Sequence, residues 1–311
     1  MTEAQKGVAA MAIACIVWGL SAIYYKMLSD VPPLEVLAHR TLWSLVFFGL
    51  VLTGQRRLGA VPAALRAGGV NVCLAAVMIS ANWFLFIFSV QAGHAVEASL
   101  GYYIFPLMAV LLGRLVFGER LSRGQAMAVA LAVGAVLVLT LALGVAPWIA
   151  LAIAATFGLY GVAKKRMAVG PMVSVAAEVL VLAPLALIWL WGVHHGHWSP
   201  AGRDGGWFGR DLRISGLLVF SGVLTGGPLM LFAYATRRVS LATIGLVQYI
   251  NPTLQFLVAI LIFAEPFTRW HGIAFALIWT ALMLYTLESL RQDRATRRLA
   301  SSNATSGTVV K

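Results

Sequence analysis

Long apolar runs, each about as long as a bilayer is thick, alternate along this chain with short polar breaks. Ten runs are read, over residues 7–28, 34–53, 70–91, 96–117, 124–142, 146–166, 172–193, 214–236, 241–263 and 270–289. A helix needs roughly 20 predominantly apolar residues to cross hydrocarbon, and each run supplies about that number. The breaks carry turn or charge signals: Asp30-Val-Pro-Pro33, Gln55-Arg-Arg57, Gly118-Glu-Arg120, Lys164-Lys-Arg166 and Arg237-Arg238. Period-two alternation, the mark of a membrane barrel, is absent from the runs. Every span is therefore predicted to be an α-helix, which satisfies its own backbone hydrogen bonds in lipid.

Composition excludes a soluble globular protein. The 311 residues are 60% hydrophobic and 11% charged, with a mean hydropathy of +0.87. A soluble domain is ordinarily about 25% charged. Ten spans and short loops use nearly the whole chain and leave no room for a soluble domain.

Charge sets orientation. With the amino terminus inside, 17 of the 23 Lys and Arg fall on inner segments, from Lys6 and Arg56 through Lys164 and Arg237 to Arg291. The positive-inside rule then places both termini in the cytoplasm of a cell whose inner membrane holds the protein. The net charge of +12 is dispersed among loops rather than gathered on one face, so nucleic acid is not an expected partner. Membrane lipid is one, and the sequence leaves a homodimer open. Cys15 and Cys73 both lie in spans, which excludes a disulfide framework. The stretch 291–311, basic and then Ser/Thr-rich, reads as a disordered cytoplasmic tail.

An internal repeat organises the rest. Residues 102–123, shifted by 146 onto 248–269, give eight identities in 22 pairs: Tyr103/Tyr249, Ile104/Ile250, Pro106/Pro252, Leu111/Leu257, Leu115/Leu261, Phe117/Phe263, Glu119/Glu265 and Arg123/Arg269. Apolar composition explains matched leucines but not proline, glutamate and arginine at one offset. Trp18-Gly-Leu and Lys26 match Phe157-Gly-Leu and Lys165 at offset 139. The expected fold is thus all-α, with ten transmembrane helices in two five-helix halves, 7–142 and 146–290. An odd number of crossings per half inverts the second half relative to the first. Inverted repeats are typical of secondary transporters, with a small-molecule substrate bound near the midplane between them.

Several segments resemble the RarD-type permeases of the EamA family in the drug/metabolite transporter superfamily. They are Trp18-Gly-Leu-Ser, Glu35-Val-Leu-Ala-His-Arg-Thr-Leu-Trp43-Ser, Asn82-Trp83, Glu97-Ala-Ser-Leu-Gly-Tyr-Tyr103, Tyr160-Gly-Val-Ala-Lys-Lys-Arg166 and Gln248-Tyr-Ile-Asn-Pro-Thr253. The resemblance runs from about residue 7 to 290 and implies an inner-membrane permease of two EamA repeats around a central cavity. One departure stands out. Where the resemblance implies Asn before the first repeat proline, this chain has Phe105; Asn251 keeps the amide in the second half.

Candidate pathway residues follow from what is costly in lipid. An ionisable group inside a span costs about 2.5–3.5 kcal/mol on the insertion scale and invites a functional reading. His39 and Arg40 lie less than two turns into the second span, and Glu178 as deep in the seventh. Aligning Val31-Pro-Pro33 with Val169-Gly-Pro171, at offset 138, makes Arg40 and Glu178 repeat equivalents. Arg40 is expected to draw a substrate carboxylate, Glu178 a substrate amine or a coupling proton; snorkelling to the interfaces is the competing reading. Trp18, Trp43, Asn82, Trp83, Tyr102, Tyr103, Gln248, Tyr249 and Asn251 are expected to line a cavity for an amphipathic substrate. Pro106 and Pro252 should bend spans four and nine as gating kinks.

Other polar groups have plainer readings. Glu119 and Glu265 close spans just before Ser122-Arg-Gly-Gln125 and Thr268-Arg-Trp-His271, which look like helix N-caps. His194, His195 and His197 read as a solvated loop rather than a metal site. No cofactor is expected. Nucleophile-elbow, metalloprotease and Walker motifs are absent, which disfavours a membrane enzyme or an ATP-driven pump. A receptor or assembly factor would need a docking domain that the chain has no room for.

Overall fold

The structure is a computed structural model that describes the backbone of residues 1–144, 146–195, 198 and 205–306. Its regular structure is helical, with no strand among the described residues. The helices are α1 (Glu3–Met27), α2 (Pro33–Gly54), α3 (Ala60–Gly68), α4 (Val70–Ala92), α5 (Ala95–Phe117), α6 (Arg123–Leu143), α7 (Trp148–Lys165), α8 (Pro171–His195), α9 (Leu212–Ala235), α10 (Leu241–Gln248), α11 (Ile250–Leu257) and α12 (Arg269–Ser306), with a π-helical turn at Val258–Ile262. Among the described residues nine helices are long and apolar enough to cross a membrane, with Thr243–Ile262 taken as one. The expected ten is one more than that. The difference is α7, which covers the expected span 146–166 with only 18 residues, about 27 Å of helix. It ends in Lys164 and Lys165, and Thr156 and Tyr160 lower its hydropathy. The short α3 was not expected; it buries Val61 and Ala64 against Phe48, Leu52 and Val173.

Two compact units share the chain. One comprises Met1–Phe105 and Pro147–Phe267, the other Pro106–Ala146 and Thr268–Lys311. In the first, α2 packs on α8 and α9, α4 on α7, and α1 on α9 and α11. In the second, α6 packs along α12. The interior is mostly apolar, but the pattern of burial departs from that of a soluble protein in two respects. Leu50, Leu141 and Leu185 are exposed while Glu35, Arg40, Asn82 and Glu178 are buried. Apolar surface outside and polar groups inside fit a lipid solvent.

Small residues let the helices of the first unit approach. Gly222 and Gly226 of α9 stand one turn apart; a Cβ on the first would run into the Trp43 carbonyl, and one on the second into the Phe47 ring. In a bilayer, where no hydrophobic force drives helices together, such close backbone contact is a main source of association. It also fixes the register of α9 against α2, and so places Thr225 beside Arg40.

The sequence repeat reappears as matched geometry. Helices α2 and α8 both begin at a proline, Pro33 and Pro171, at the predicted offset. Gly118 and Ala264, equivalent at offset 146, both take the left-handed conformation, with φ of 67° and 52°. The next amides close the same long turn: Glu119 N donates to Gly113 O at 3.3 Å, and Glu265 N to Ala259 O at 3.1 Å. These bonds span six residues, one more than the usual six-to-one closure, and each follows a left-handed residue just past the helix end. Ser122 and Gln125 then form a reciprocal capping box at the start of α6. Thr268 and His271 repeat it before α12, with the His271 ring in place of the glutamine amide.

The two repeat prolines, by contrast, end differently. Pro106 sits inside an uninterrupted α5. Pro252 follows a break at Tyr249, so that the expected span 241–263 is α10, α11 and the π turn in succession. Proline offers no N–H to the carbonyl four residues back, that of Tyr102 for Pro106 and of Gln248 for Pro252, and only the second gap coincides with a helix break.

A left-handed residue with a Cβ is strained by roughly 1–2 kcal/mol. Because Ala264 is exposed and loses no packing, Ala264→Gly should stabilise the protein by about 1 kcal/mol. Thermal unfolding in detergent measures this, with Gly118→Ala expected to destabilise by a similar amount.

Candidate substrate site

Arg40 and Glu178 occupy the same repeat position, eighth along α2 and α8, and both are buried. Their surroundings differ. Glu178 is fully enclosed and paired: Lys164 Nζ donates to its Oε1 at 2.7 Å, Ser174 Oγ to the same oxygen at 2.8 Å, and Tyr160 OH to Oε2 at 3.3 Å. Lys164 also donates to Ser174 Oγ and lies over the Tyr160 ring. The group ties α7 to α8. One turn separates Ser174 from Glu178, and one turn separates Tyr160 from Lys164, so each helix presents both partners on one face.

Arg40 has no carboxylate. Its Nε donates to Thr225 Oγ1 of α9 at 3.0 Å. The guanidinium carbon stands 4.0 Å from the centre of the Trp83 ring and 5.6 Å from that of Tyr25. Among the described residues it makes no ion pair. A cation over an aromatic face is stabilised by the ring quadrupole, by about 2 kcal/mol where desolvated. The charge is thus housed by α1, α4 and α9, which span both halves of the repeat. It does not meet Glu178.

The remaining candidates sort by what they touch. Asn82 Nδ2 donates to Ile153 O at 3.0 Å and Thr156 Oγ1 at 3.2 Å, and its Oδ1 accepts from Tyr102 OH at 2.9 Å. It therefore pins α4, α5 and α7 together. Tyr102 meets Phe86 and Phe157 edge-on, and Phe86 meets Tyr25 likewise, which makes a continuous aromatic wall from α1 to α7. Phe105, where an amide is implied by the resemblance, packs on Phe157 instead. Tyr103 OH and Thr253 Oγ1 are 2.6 Å apart and join α5 to α11. Asn251 accepts from Gln255 Nε2 at 3.1 Å, while the Gln255 Oε1 is buried without a partner. Tyr249 O accepts from Thr253, and Gln248 is half-buried at the end of α10. Trp18 leans on Phe232.

His39 and Trp43 face a different neighbour. The Phe208 ring stacks on His39 at 4.9 Å and lies 6.2 Å from Trp43. Phe208 is held there by Glu35, a residue whose role sequence reading missed. Its carboxylate is fully buried and accepts from Gly206 N at 2.9 Å and Trp207 N at 2.7 Å. Gly206 reaches this arrangement at φ 77°, and a Cβ there would meet the His194 ring. Glu265 does a similar thing elsewhere in the unit. It accepts from Ala95 N and Val96 N, both at 2.8 Å, and caps α5 across 170 residues of chain. A carboxylate at a helix N-terminus meets both free N–H groups and the dipole. His194 and His195 adjoin at the end of α8, and His197 lies outside the described residues.

Other partners were also out of sight in the sequence. Thr225 carries no signal, since a lone threonine in a span ordinarily bonds its own helix. Lys164 was counted among inner-loop charges. Ser174, four residues before Glu178, was the one signal available, because helical spacing puts it on the same face.

The comparisons agree with this architecture. A model of the EamA-like transporter family matches the chain twice, over residues 5–141 and 145–287. The chain belongs to that family. Among its relatives, an uncharacterized transporter YojE of Bacillus subtilis is 40% identical over 95% of this chain and 98% of its own. Protein RarD of Streptomyces exfoliatus is 42% identical, over 90% and 88%, and Protein RarD of Escherichia coli 34%, over 95% and 99%. A crystal structure only 20% identical shares the fold, with a TM-score of 0.58 over 93% of this chain and 99% of the other. EamA proteins are transporters, and the apolar helices make this member a multi-pass membrane protein.

Glu35→Gln keeps the shape but turns an amide N–H₂ toward two backbone donors. Hydrogen bonds to a charged acceptor contribute about 1.5–3 kcal/mol, so the variant should lose about 2 kcal/mol of stability. In a background lacking Cys15 and Cys73, a cysteine at Phe208 should also react faster with maleimide when Glu35 is Gln.

Proposed function

We propose that the protein is a secondary transporter that carries small amphipathic metabolites or drugs across the inner membrane by alternating access. The observation that supports this best is the pair of repeat-equivalent charges, Arg40 and Glu178, buried in adjacent helices α2 and α8. In a chain of this family such charges serve a path for a polar solute better than they serve stability, since burying them is costly. No reaction chemistry is assigned to the site. Elements of both repeats meet at Arg40, so a rocking of one repeat against the other would open it to alternate sides.

The energy source is proposed to be an ion gradient, with the Glu178–Lys164 pair as the coupling element. Removing one member of a buried pair leaves the other charge uncompensated, at about 3–5 kcal/mol. A cycle that breaks and remakes this pair can therefore be driven by a proton arriving on Glu178. The groups facing Glu178 are Lys164, Ser174 and Tyr160. The proposed orientation has both termini in the cytoplasm, as the distribution of Lys and Arg favours.

In proteoliposomes, counterflow of a panel of labelled amphipathic metabolites should appear without ATP and accelerate under an imposed pH gradient. Glu178→Gln combined with Lys164→Met, which removes both charges, should keep counterflow and lose the response to pH. Flux absent for the whole panel, or a full response in the double variant, would count against the mechanism. Orientation is checked with single cysteines at Arg57 and Asp211 in the background lacking Cys15 and Cys73. Only the cysteine at Asp211 should label with an impermeant maleimide added outside intact cells.

A further inference from the structure

Of the two charges at equivalent repeat positions, one is fully partnered and the other is not. Glu178 has a cation and two hydroxyl donors. Arg40, 7% exposed, has one hydroxyl acceptor and two aromatic rings. A guanidinium carries five N–H donors and does not lose its charge in proteins. Only the Nε–H is bonded here; the two terminal nitrogens make no hydrogen bond among the described residues. They are nonetheless absent from the buried, unpartnered atoms, so they keep some accessible surface. The rings satisfy the flat face of the guanidinium and leave its edge, the part that pairs with oxyanions, open.

That edge selects its partner by shape and by charge. Two parallel N–H groups match the two oxygens of a carboxylate, the bidentate geometry that makes arginine the residue for planar anions. One cation balances one negative charge. A phosphate dianion would call for a second cation; Lys164 is committed to Glu178, and Lys26 donates to the Val90 carbonyl and lies over the Phe263 ring. Beyond the charge, Trp83 and Tyr102 keep accessible aromatic surface on which an apolar body can lie, while the Tyr25 and Phe86 rings are buried. Thr225 holds Nε and so leaves the two terminal nitrogens as the free edge.

We infer that Arg40, oriented by Thr225, is the docking point for the carboxylate of a small organic acid whose apolar part lies against Trp83 and Tyr102. The inference rests on the transporter reading for its meaning, since it names the substrate class, but binding is measurable without flux. Glu178, closed in its own ion pair, does not hold the substrate.

The test uses the purified full-length chain in detergent and two matched probe pairs, benzoate against benzamide and 3-phenylpropionate against 3-phenylpropionamide. Thermal-shift titration of the unmodified protein should show saturable stabilisation by each acid and none by its amide, a comparison that requires no variant. Arg40→Gln should weaken acid binding by about tenfold or more without changing the response to the amide. Arg40→Lys should recover only part of it, because a point charge lacks the fork. Equal responses to acid and amide in the unmodified protein would overturn the inference. So would protection by chloride at the same concentrations, which would make Arg40 a general counter-ion point. Acid-selective binding with no counterflow of any panel member would leave the site standing and remove transport. Counterflow of neutral solutes that the acids neither enter nor inhibit would do the reverse.

Discussion

Hydrocarbon offers no hydrogen bonds, so each polar group carried into these helices has to find its partner inside the protein. The smallest ones do so locally. Thr41, Thr140 and Thr225 each donate to the carbonyl four residues back, at 2.8–2.9 Å, and become nearly apolar to a neighbouring helix. Larger groups have to reach across. Asn82 bonds α7 with its donor and α5 with its acceptor, and Glu178 recruits three donors from α7 and α8. Each such reach fixes a register between helices that apolar packing alone would leave free to slide. Glycines 222 and 226 act in the same direction, because they allow α9 close enough to α2 for Thr225 to meet Arg40.

This constraint also explains what the sequence disclosed. A span is announced by twenty apolar residues, whatever surrounds it, and a cap by residues three apart. The spans, the repeat and the boxes at Ser122 and Thr268 could therefore be read directly. Pairing across helices leaves no local trace. Lys164 is indistinguishable from Lys165 in a basic triplet, yet one enters the bundle to meet Glu178 and the other is exposed. Glu35 and Glu265 look like ordinary charges at helix starts and span ends. Their acceptors are in use because the loop at Gly206 and the first turn of α5 each bring two free N–H groups to them. Helix α7, at 18 residues shorter than the span read for it, is the helix whose polar residues turn inward.

Duplication supplied a frame that the two halves have since used differently. Helix ends are kept: left-handed residue, long-range turn and cap recur at Gly118 to Gln125 and at Ala264 to His271. Side chains on the frame are not. Glu119 lies against Gly113 of its own helix, where a Cβ would sit 2.6 Å from its Oε2. The second half has that Cβ, on Ala259, and its glutamate reaches out to α5 instead. Pro106 leaves α5 whole, whereas Pro252 parts α10 from α11.

The alternating access proposed above asks for two conformations of nearly equal energy, and an inverted duplicate is suited to them because exchanging the roles of its halves exchanges inside for outside. A perfectly symmetric pair would, however, favour neither side. Opposite charges at equivalent sites break the degeneracy in the chemistry while the frame preserves it in the backbone. Arg40 is left with an open edge and Glu178 with a closed pair, so in the transport cycle proposed above the solute and the coupling ion act on different halves of the repeat. Moving either half changes the environment of both charges, since Thr225, which turns Arg40, belongs to the half that carries Glu178.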